Sequence, residues 1–378
     1  MHRTVRRHLL LLGLWPSLLD AAVHVAWKLQ LFSIALLHLL FSSDKQWLLQ
    51  QQTPSTSAAP TTEAVPSPVI VPVDAAALEQ PTALVTKSRR IVFVRHAESE
   101  WNVVFNSGFN LRALARLVRA VLREWLLLPT GDSVFLDSPL SRRGRFQAQQ
   151  LKEYAGDESL EGGRLGGRAA PVPGTGEVAV DEGVCDSPHP TDESAWLHYL
   201  CCPLPGSVVA TSNLRRSIDT ARIASAPRLE VPGERIHVLS CLQEIGRNVD
   251  TLAISQPHSV QPREVLVKAP RGEKRHDELF NVAESHGNKA VLGSGRDRLL
   301  TFAQWLFKQP NDVAIVYGHS LWLRAFCREF FPRHVPHEAK SATTRNCGVV
   351  TFVLEEHSRG GGETPQYTIQ PESFRNLV

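Results

Sequence analysis

Three hydrophobic patterns divide the chain. The first is apolar in bulk: Leu9 to Leu19 reads LLLLGLWPSLL and Leu31 to Phe41 reads LFSIALLHLLF, with Asp20, His24, Lys28 and Gln30 between them. Neither piece alone reaches the ~20 residues of a spanning helix, and Pro16 weakens the first. A basic lead (Arg3, Arg6, Arg7) before an apolar tract resembles a secretory signal, a signal anchor or an organelle-targeting segment. The alternative is an amphipathic helix lying on the domain or on a membrane surface. Residues 1–50 are expected to be a targeting or membrane-anchor segment, with 1–42 directing the chain to a membrane, an organelle or the secretory route. A cytoplasmic location is the alternative. The second pattern, residues 51–88, is Gln, Thr, Ser, Ala and Pro, too polar to bury a core, and reads as a linker.

The third pattern fills residues 89–378, where short β-branched runs alternate with helical spacing. Strands are expected at Ile91–Val94, Ser207–Ser212, Ile236–Leu239, Asp312–Tyr317 and Cys347–Leu354. Helices are expected at Arg142–Tyr154, from Asn213, at Asp297–Phe307 and after Ser320. This alternation predicts an α/β domain, a three-layer α/β/α sandwich with a largely parallel central sheet. Residues 155–206, rich in Gly and Pro with one helical patch at Ala195–Leu200, and the charged 255–296 read as loop insertions. Between Leu111 and Trp125, Arg112, Arg116, Arg119 and Arg123 share one helix face, opposite Leu114, Leu117, Val118, Val121 and Trp125. That is the solvated face of a packed helix, a basic rim for anionic substrates, or a contact with anionic lipid.

Composition narrows the function. With 41 Lys and Arg against 38 Asp and Glu, the net charge of +3 lacks the concentrated excess of a nucleic-acid binder. The six cysteines have no CxxC spacing, which argues against a zinc site or a disulfide framework.

The chemistry gathers at strand ends. Ile91-Val92-Phe93-Val94 runs into Arg95-His96, delivering a cation and an imidazole to a strand's C-terminal tip, where open α/β sheets bind ligands. Arg215-Arg216 and Gly318-His319-Ser320 follow two further strands, and Glu244 follows Ile236–Leu239. Guanidinium groups and helix N-termini favour phosphate oxygens. Two histidines, arginines and a carboxylate at one edge would form a phosphoryl-transfer site. One imidazole attacks phosphorus, cations hold the equatorial oxygens, and the carboxylic acid protonates the leaving alkoxide. Fixed cationic side chains would do the work of a metal, so no metal or cofactor is expected.

At these residues the chain resembles a known family. Arg95-His96-Ala97-Glu98-Ser99-Glu100-Trp101-Asn102 looks like the RHGxSxWN signature of the histidine phosphatase superfamily, in its phosphoglycerate mutase-like branch. Ser212-Asn213-Leu214-Arg215-Arg216-Ser217 with Thr220-Ala221 is similar to the branch's SxLxRAxxTA motif. Leu242-Gln243-Glu244 falls where the branch carries its proton donor, and Gly318-His319-Ser320 matches its second histidine. Leu140-Ser141 with Gly144 and Gln147-Ala148 echoes an LSxxGxxQA helix start. The resemblance implies a phosphoglycerate mutase-like fold over about residues 90–355. It makes His96 the phosphorylated nucleophile, with Arg95, Arg216 and His319 holding the transferred group. Asn102 would contact substrate, and Glu244 would be general acid and later base. The substrate implied is a small phosphorylated molecule or a phosphoprotein.

Three departures stand out. Ala97 and Ser217 replace the usual Gly and Ala, and Ile245-Gly246-Arg247-Asn248 lacks the longer pattern of true phosphoglycerate mutases. Phosphatase is therefore expected ahead of mutase-type transfer between hydroxyls. A catalytically quiet phospho-ligand binding protein is a further alternative. Glu98, Glu182 or Glu193 could take the place of Glu244, and Asn102 could simply cap a helix. Gly318-His319-Ser320-Leu321-Trp322 also echoes a serine-hydrolase elbow, but Trp322 stands where that turn needs glycine, and Arg95, His96 and Arg216 would go unused.

Overall fold

The computed structural model describes residues 2–44, 84–105, 110–156, 195–261, 267–269, 272–274, 276–359 and 364–378, with side chains at 18–44, 86–105, 110–156, 195–261, 278–358 and 364–378. Most of the expected linker and of the first insertion lie outside these residues.

The sheet is built around β1 (Leu84–Arg95), which begins inside the stretch read as linker. It pairs in parallel with β7 (Val313–Gly318), which pairs with β2 (Ser207–Ser212), then β3 (Ile236–Leu239) and a short β6 (Phe280–Asn281). On its other side β1 meets β8 (Val349–Arg359) in antiparallel register, and β9 (Gln366–Ile369) and β10 (Arg375–Asn376) add to β8. The order is β10-β8-β1-β7-β2-β3-β6, a mostly parallel sheet as expected. A separate hairpin joins β4 (Val267–Ala269) and β5 (Gly272–Lys274). The 255–296 segment is thus more than a loop, since it supplies the parallel edge strand β6.

Both faces of the sheet are covered, which is why β1 reads as an unbroken apolar run instead of an alternation. Ile91 and Phe93 point to one face, packing with Leu299, Phe302 and Leu306 of a helix at Gly295–Lys308 and with Trp322 and Phe326 of another at Ser320–Phe330. Val92 and Val94 point to the other, packing with Ala148 and Leu151, Trp196 and Leu200, and Ile218 and Ala221. Those residues belong to helices Arg142–Ala155, Ala195–Cys201 and Arg215–Ala224. The result is three layers.

Two helices depart from expectation. The two apolar N-terminal tracts form one helix, α1 (His2–Phe41), rather than separate pieces. From Leu18 to Phe41 it is long and apolar enough to cross a membrane by length and composition. Yet two of its polar residues face the domain. Lys28 and His38 are buried with Leu31 and Ala35, Lys28 Nζ donates to the carbonyls of Leu127 and Asp132, and Trp27 Nε1 donates to Ile254 O at 3.0 Å. Leu29, Leu36, Leu37, Leu40 and Phe41 are exposed. In α2 (Leu111–Leu127), the packed-helix reading, one of three, would cover the apolar face opposite the arginines. That face is instead largely exposed, with Leu114, Val118, Val121 and Trp125 outward. The helix attaches through a third face, where Ala120 and Glu124 are buried and the Glu124 carboxylate accepts Val134 N–H at 2.6 Å.

Candidate active site

Because β1, β7 and β2 are neighbours running the same way, their C-terminal ends bring the motif residues to one edge. Arg95 lies opposite Gly318 in the β1–β7 register, and His96 N–H donates to Gly318 O at 3.0 Å. His319 follows Gly318 directly, and its ring centroid lies 5.0 Å from that of His96. The glycine is needed for the approach of β1, since a Cβ at 318 would sit 2.9 Å from the Phe93 ring.

His96 is buried, and its Nδ1 lies 2.7 Å from Ala97 O, a contact that only an Nδ1–H can make as a hydrogen bond. That tautomer leaves Nε2 unprotonated, and Arg216 Nε donates to its lone pair at 3.2 Å. Burial, then the charges of Arg216 and Arg95, hold the imidazole well below its ordinary pKa. It is neutral at neutral pH, the form a nucleophile requires. His319 is wholly buried and likewise held neutral, first by burial and then by Arg216. Neither of its ring nitrogens has a hydrogen-bond partner among the described residues, nor does Arg95 Nε. Buried donors without partners suit an anionic ligand.

Arg216 is 2% exposed; Nη1 donates to Asp250 O at 2.7 Å, and Nη2 lies 3.5 Å from the Asp250 carboxylate. Arg95 Nη1 donates to Thr344 O, and Asn346 Nδ2 donates to His96 O at 3.0 Å. Arg215, in contrast, turns away. Its backbone N–H donates to Asp137 Oδ1 at 2.7 Å and its guanidinium to the carbonyls of Asp137 and Ser133. It ties down the 132–137 loop.

Glu244 lies on the loop after β3 with Oε1 accepting the backbone N–H groups of Ile245 and Trp322, each at 3.1 Å. Burial pushes its carboxyl up to about 7; Arg216 pulls it down and Asp250 raises it further. Its Oε2 lies 3.8 Å from His319 Nδ1, but the imidazole is held neutral, so this approach is not a permanent ion pair. A buried carboxyl that titrates near neutrality can donate a proton and then take one up. Glu98 is committed elsewhere, accepting Ser141 Oγ–H at 2.8 Å, and Glu182 and Glu193 lie outside the described residues.

Asn102 sits three residues past Ser99 in the first turn of a short helix, Glu100–Phe105. Its Oδ1 accepts Ser99 N–H at 3.1 Å, while Asn102 N–H donates to Ser99 Oγ at 3.3 Å, a reciprocal capping box. The capping reading of Asn102 is therefore realised. Ser320 is the first helical residue of the Ser320–Phe330 helix, and its φ is not positive, so the strained turn of a hydrolase elbow is absent there.

The supporting motifs acquire physical meaning. In the Leu140–Ala148 segment, Ser141 caps its helix by accepting Gly144 N–H at 2.9 Å, and Gln147 Oε1 accepts Glu98 N–H at 3.0 Å. Gly144 admits the Glu98 carbonyl, which a Cβ would approach to 2.0 Å. The helix thus braces the turn that follows His96. Ser217 earns its departure from alanine by donating to Tyr317 O at 2.9 Å while accepting Thr211 Oγ1–H at 3.0 Å, which staples Arg216's helix to β2 and β7. Asp250, in a single 3-10 turn at Val249–Thr251, and Thr344 and Asn346, in a loop, carry no spacing signal in the sequence.

No family model and no curated protein sequence matches the chain. Among solved structures it is similar to "Mycobacterial hydrolase 1", at 15% identity over 75% of this chain and 97% of that one, TM-score 0.32. It is similar to a mycobacterial glucosyl-3-phosphoglycerate phosphatase, at 15% identity over 75% and 98%, TM-score 0.33. It is also similar to a phosphoserine phosphatase variant from Entamoeba histolytica in complex with phosphoserine, at 11% identity over 74% and 94%, TM-score 0.30. Two of these three are named as phosphatases.

Proposed function

We propose that this chain is a histidine-type phosphatase, hydrolysing a phosphomonoester through a phosphohistidine on His96. The observation that carries the reading is the fixed tautomer of a buried, neutral His96, whose Nε2 lies beside Arg216 with Arg95 and His319 close by. In the first half-reaction the Nε2 lone pair attacks phosphorus and the P–O ester bond breaks. Its electron pair leaves with the alkoxide, which takes the Glu244 proton. In the second, the Glu244 carboxylate removes a proton from water, whose oxygen attacks phosphorus, and the P–N bond breaks with its pair returning to Nε2. Arg95, Arg216 and His319 hold the non-bridging oxygens throughout, and this residue set calls on no metal or cofactor. The substrate is a small phosphorylated molecule or a phosphoprotein, with Asn102 as a candidate contact. The 155–206 and 255–296 segments would set specificity.

We read α1 as a membrane attachment lying in the lipid surface, α2 beside it. Outward leucines on a helix whose lysine is turned inward support this, together with the arginine face of α2.

The test of the catalytic reading is acid-quenched incubation of the full chain with a labelled phosphoester. The expected label is acid-labile, alkali-stable and absent from His96→Ala; equal label in that variant sinks the nucleophile assignment.

A further inference from the structure

The segment after α1 reaches into the base of the site. Ser43 N–H donates to Val291 O at 3.2 Å, and Asp44 beside it is 3% exposed. Its carboxylate accepts Lys289 Nζ at 3.0 Å and Arg298 Nη2 at 2.8 and 3.1 Å. Both cations reach onward to the loop carrying Glu244. Lys289 Nζ donates to Glu244 O at 2.7 Å and to Gly246 O, so its three donors are all engaged. Arg298 Nη1 donates to Gln243 O at 2.7 Å. Three carbonyls of the proton-donor loop are therefore held by two cations, and one carboxylate from outside the catalytic body pairs with both.

We propose that Asp44 is a positioning residue for the reaction: through Lys289 and Arg298 it fixes the Gln243–Gly246 backbone, and so the place of the Glu244 carboxyl. The physical reason is that removing one member of a buried ionic cluster leaves the others uncompensated. Without the Asp44 charge, Lys289 and Arg298 repel each other in a dry site, and the carbonyls they hold move with them. His96, Arg95 and Arg216 take none of their hydrogen bonds from this cluster. The expected defect is therefore confined to proton donation. This inference rests on the reading of Glu244 as the general acid.

Leaving-group dependence separates such a role from a merely structural one. A phenolate of low basicity departs without a proton, whereas a poor leaving group needs one. Full-length Asp44→Asn, Asp44→Glu and Glu244→Gln are compared with the unaltered chain on aryl phosphates from phenyl phosphate to 2,4-dinitrophenyl phosphate, following single-turnover phenol release. Asp44→Asn should slow phenyl phosphate by about tenfold or more and leave the dinitrophenyl ester within about threefold. The dinitrophenyl ester thereby reports that the variant is folded and still attacks phosphorus. Glu244→Gln should show the same slope more steeply, and Asp44→Glu should recover much of the loss. An equal loss across the series in Asp44→Asn, or none, overturns the proposal. An unaltered slope in Glu244→Gln, where Asp44 is intact, would remove the acid itself and this proposal with it.

Discussion

Glu244→Gln gives the sharpest test of the site's electrostatics, because the change keeps shape and removes only ionisation. A glutamine carbonyl can accept the Ile245 and Trp322 N–H groups that Glu244 Oε1 accepts, so the loop should persist. In the folded chain the carboxyl titrates at about 7 against an ordinary value of 4.5, chiefly through burial. The folded state thus holds the proton more tightly between those two values. Stability from this group is therefore greatest below pH 4.5 and declines as pH rises to 7. The difference of about 2.5 units, at 1.36 kcal/mol each, corresponds to roughly 3 kcal/mol. Glutamine has no such decline. Urea unfolding of both proteins between pH 4.5 and 7.5 should show Glu244→Gln gaining roughly 3 kcal/mol on the unaltered chain across that range, the subtraction cancelling the other titrating groups. Activity should move the other way. Turnover of a poor-leaving-group ester should fall about 10²–10⁴-fold and lose the alkaline decline that begins near pH 7 in the unaltered chain. A stability difference flat with pH would refute the argument that Glu244 is buried and largely protonated at mildly acidic pH.

Gly144→Ala should be destabilising by about 1–3 kcal/mol in urea unfolding, since the new Cβ meets the Glu98 carbonyl at 2.0 Å and backbone must shift. It should also lower activity, because that carbonyl belongs to the turn after His96; a neutral effect on both would contradict the bracing role. The full chain should cosediment with phosphatidylserine vesicles, more weakly as salt rises. Trp125→Glu on the exposed face of α2 should weaken that binding about tenfold or more, and binding unaffected by both salt and Trp125→Glu would exclude the surface formed by α2.

The parts of this site that sequence discloses are those tied to regular elements. Arg95-His96 and Gly318-His319 end strands that pair directly, so reading each strand sufficed to bring the two imidazoles together. Arg216 and Arg215 are adjacent in sequence with like chemistry, and only packing separates them: one faces His96, the other binds the 132–137 loop. The motif resemblance chose between them where helical spacing could not. Asp250, Thr344 and Asn346 are invisible in the sequence because each acts from a single turn or a loop whose path no periodicity encodes. The exposed face of α2 shows a different limit. An amphipathic pattern states that an apolar face exists but not that the protein itself covers it.

The same limit explains why the N-terminal helix read as two apolar fragments with polar interruptions. Against a bilayer, Lys28 and His38 are defects that shorten a span; against the domain Lys28 is an attachment point. A buried lysine side chain needs polar partners, and the 127–132 turn supplies carbonyls for Lys28. Trp27 and Lys28 thus fix the rotation of α1, and the leucines are turned outward as a consequence. That rotation also sets where the chain goes next, delivering Ser43 to Val291 and Asp44 to Lys289 and Arg298. A segment outside the motif-bearing body therefore contributes one charge to the network beneath Glu244. Asp44, Lys289 and Arg298 thereby connect the end of α1 to the backbone that carries Glu244.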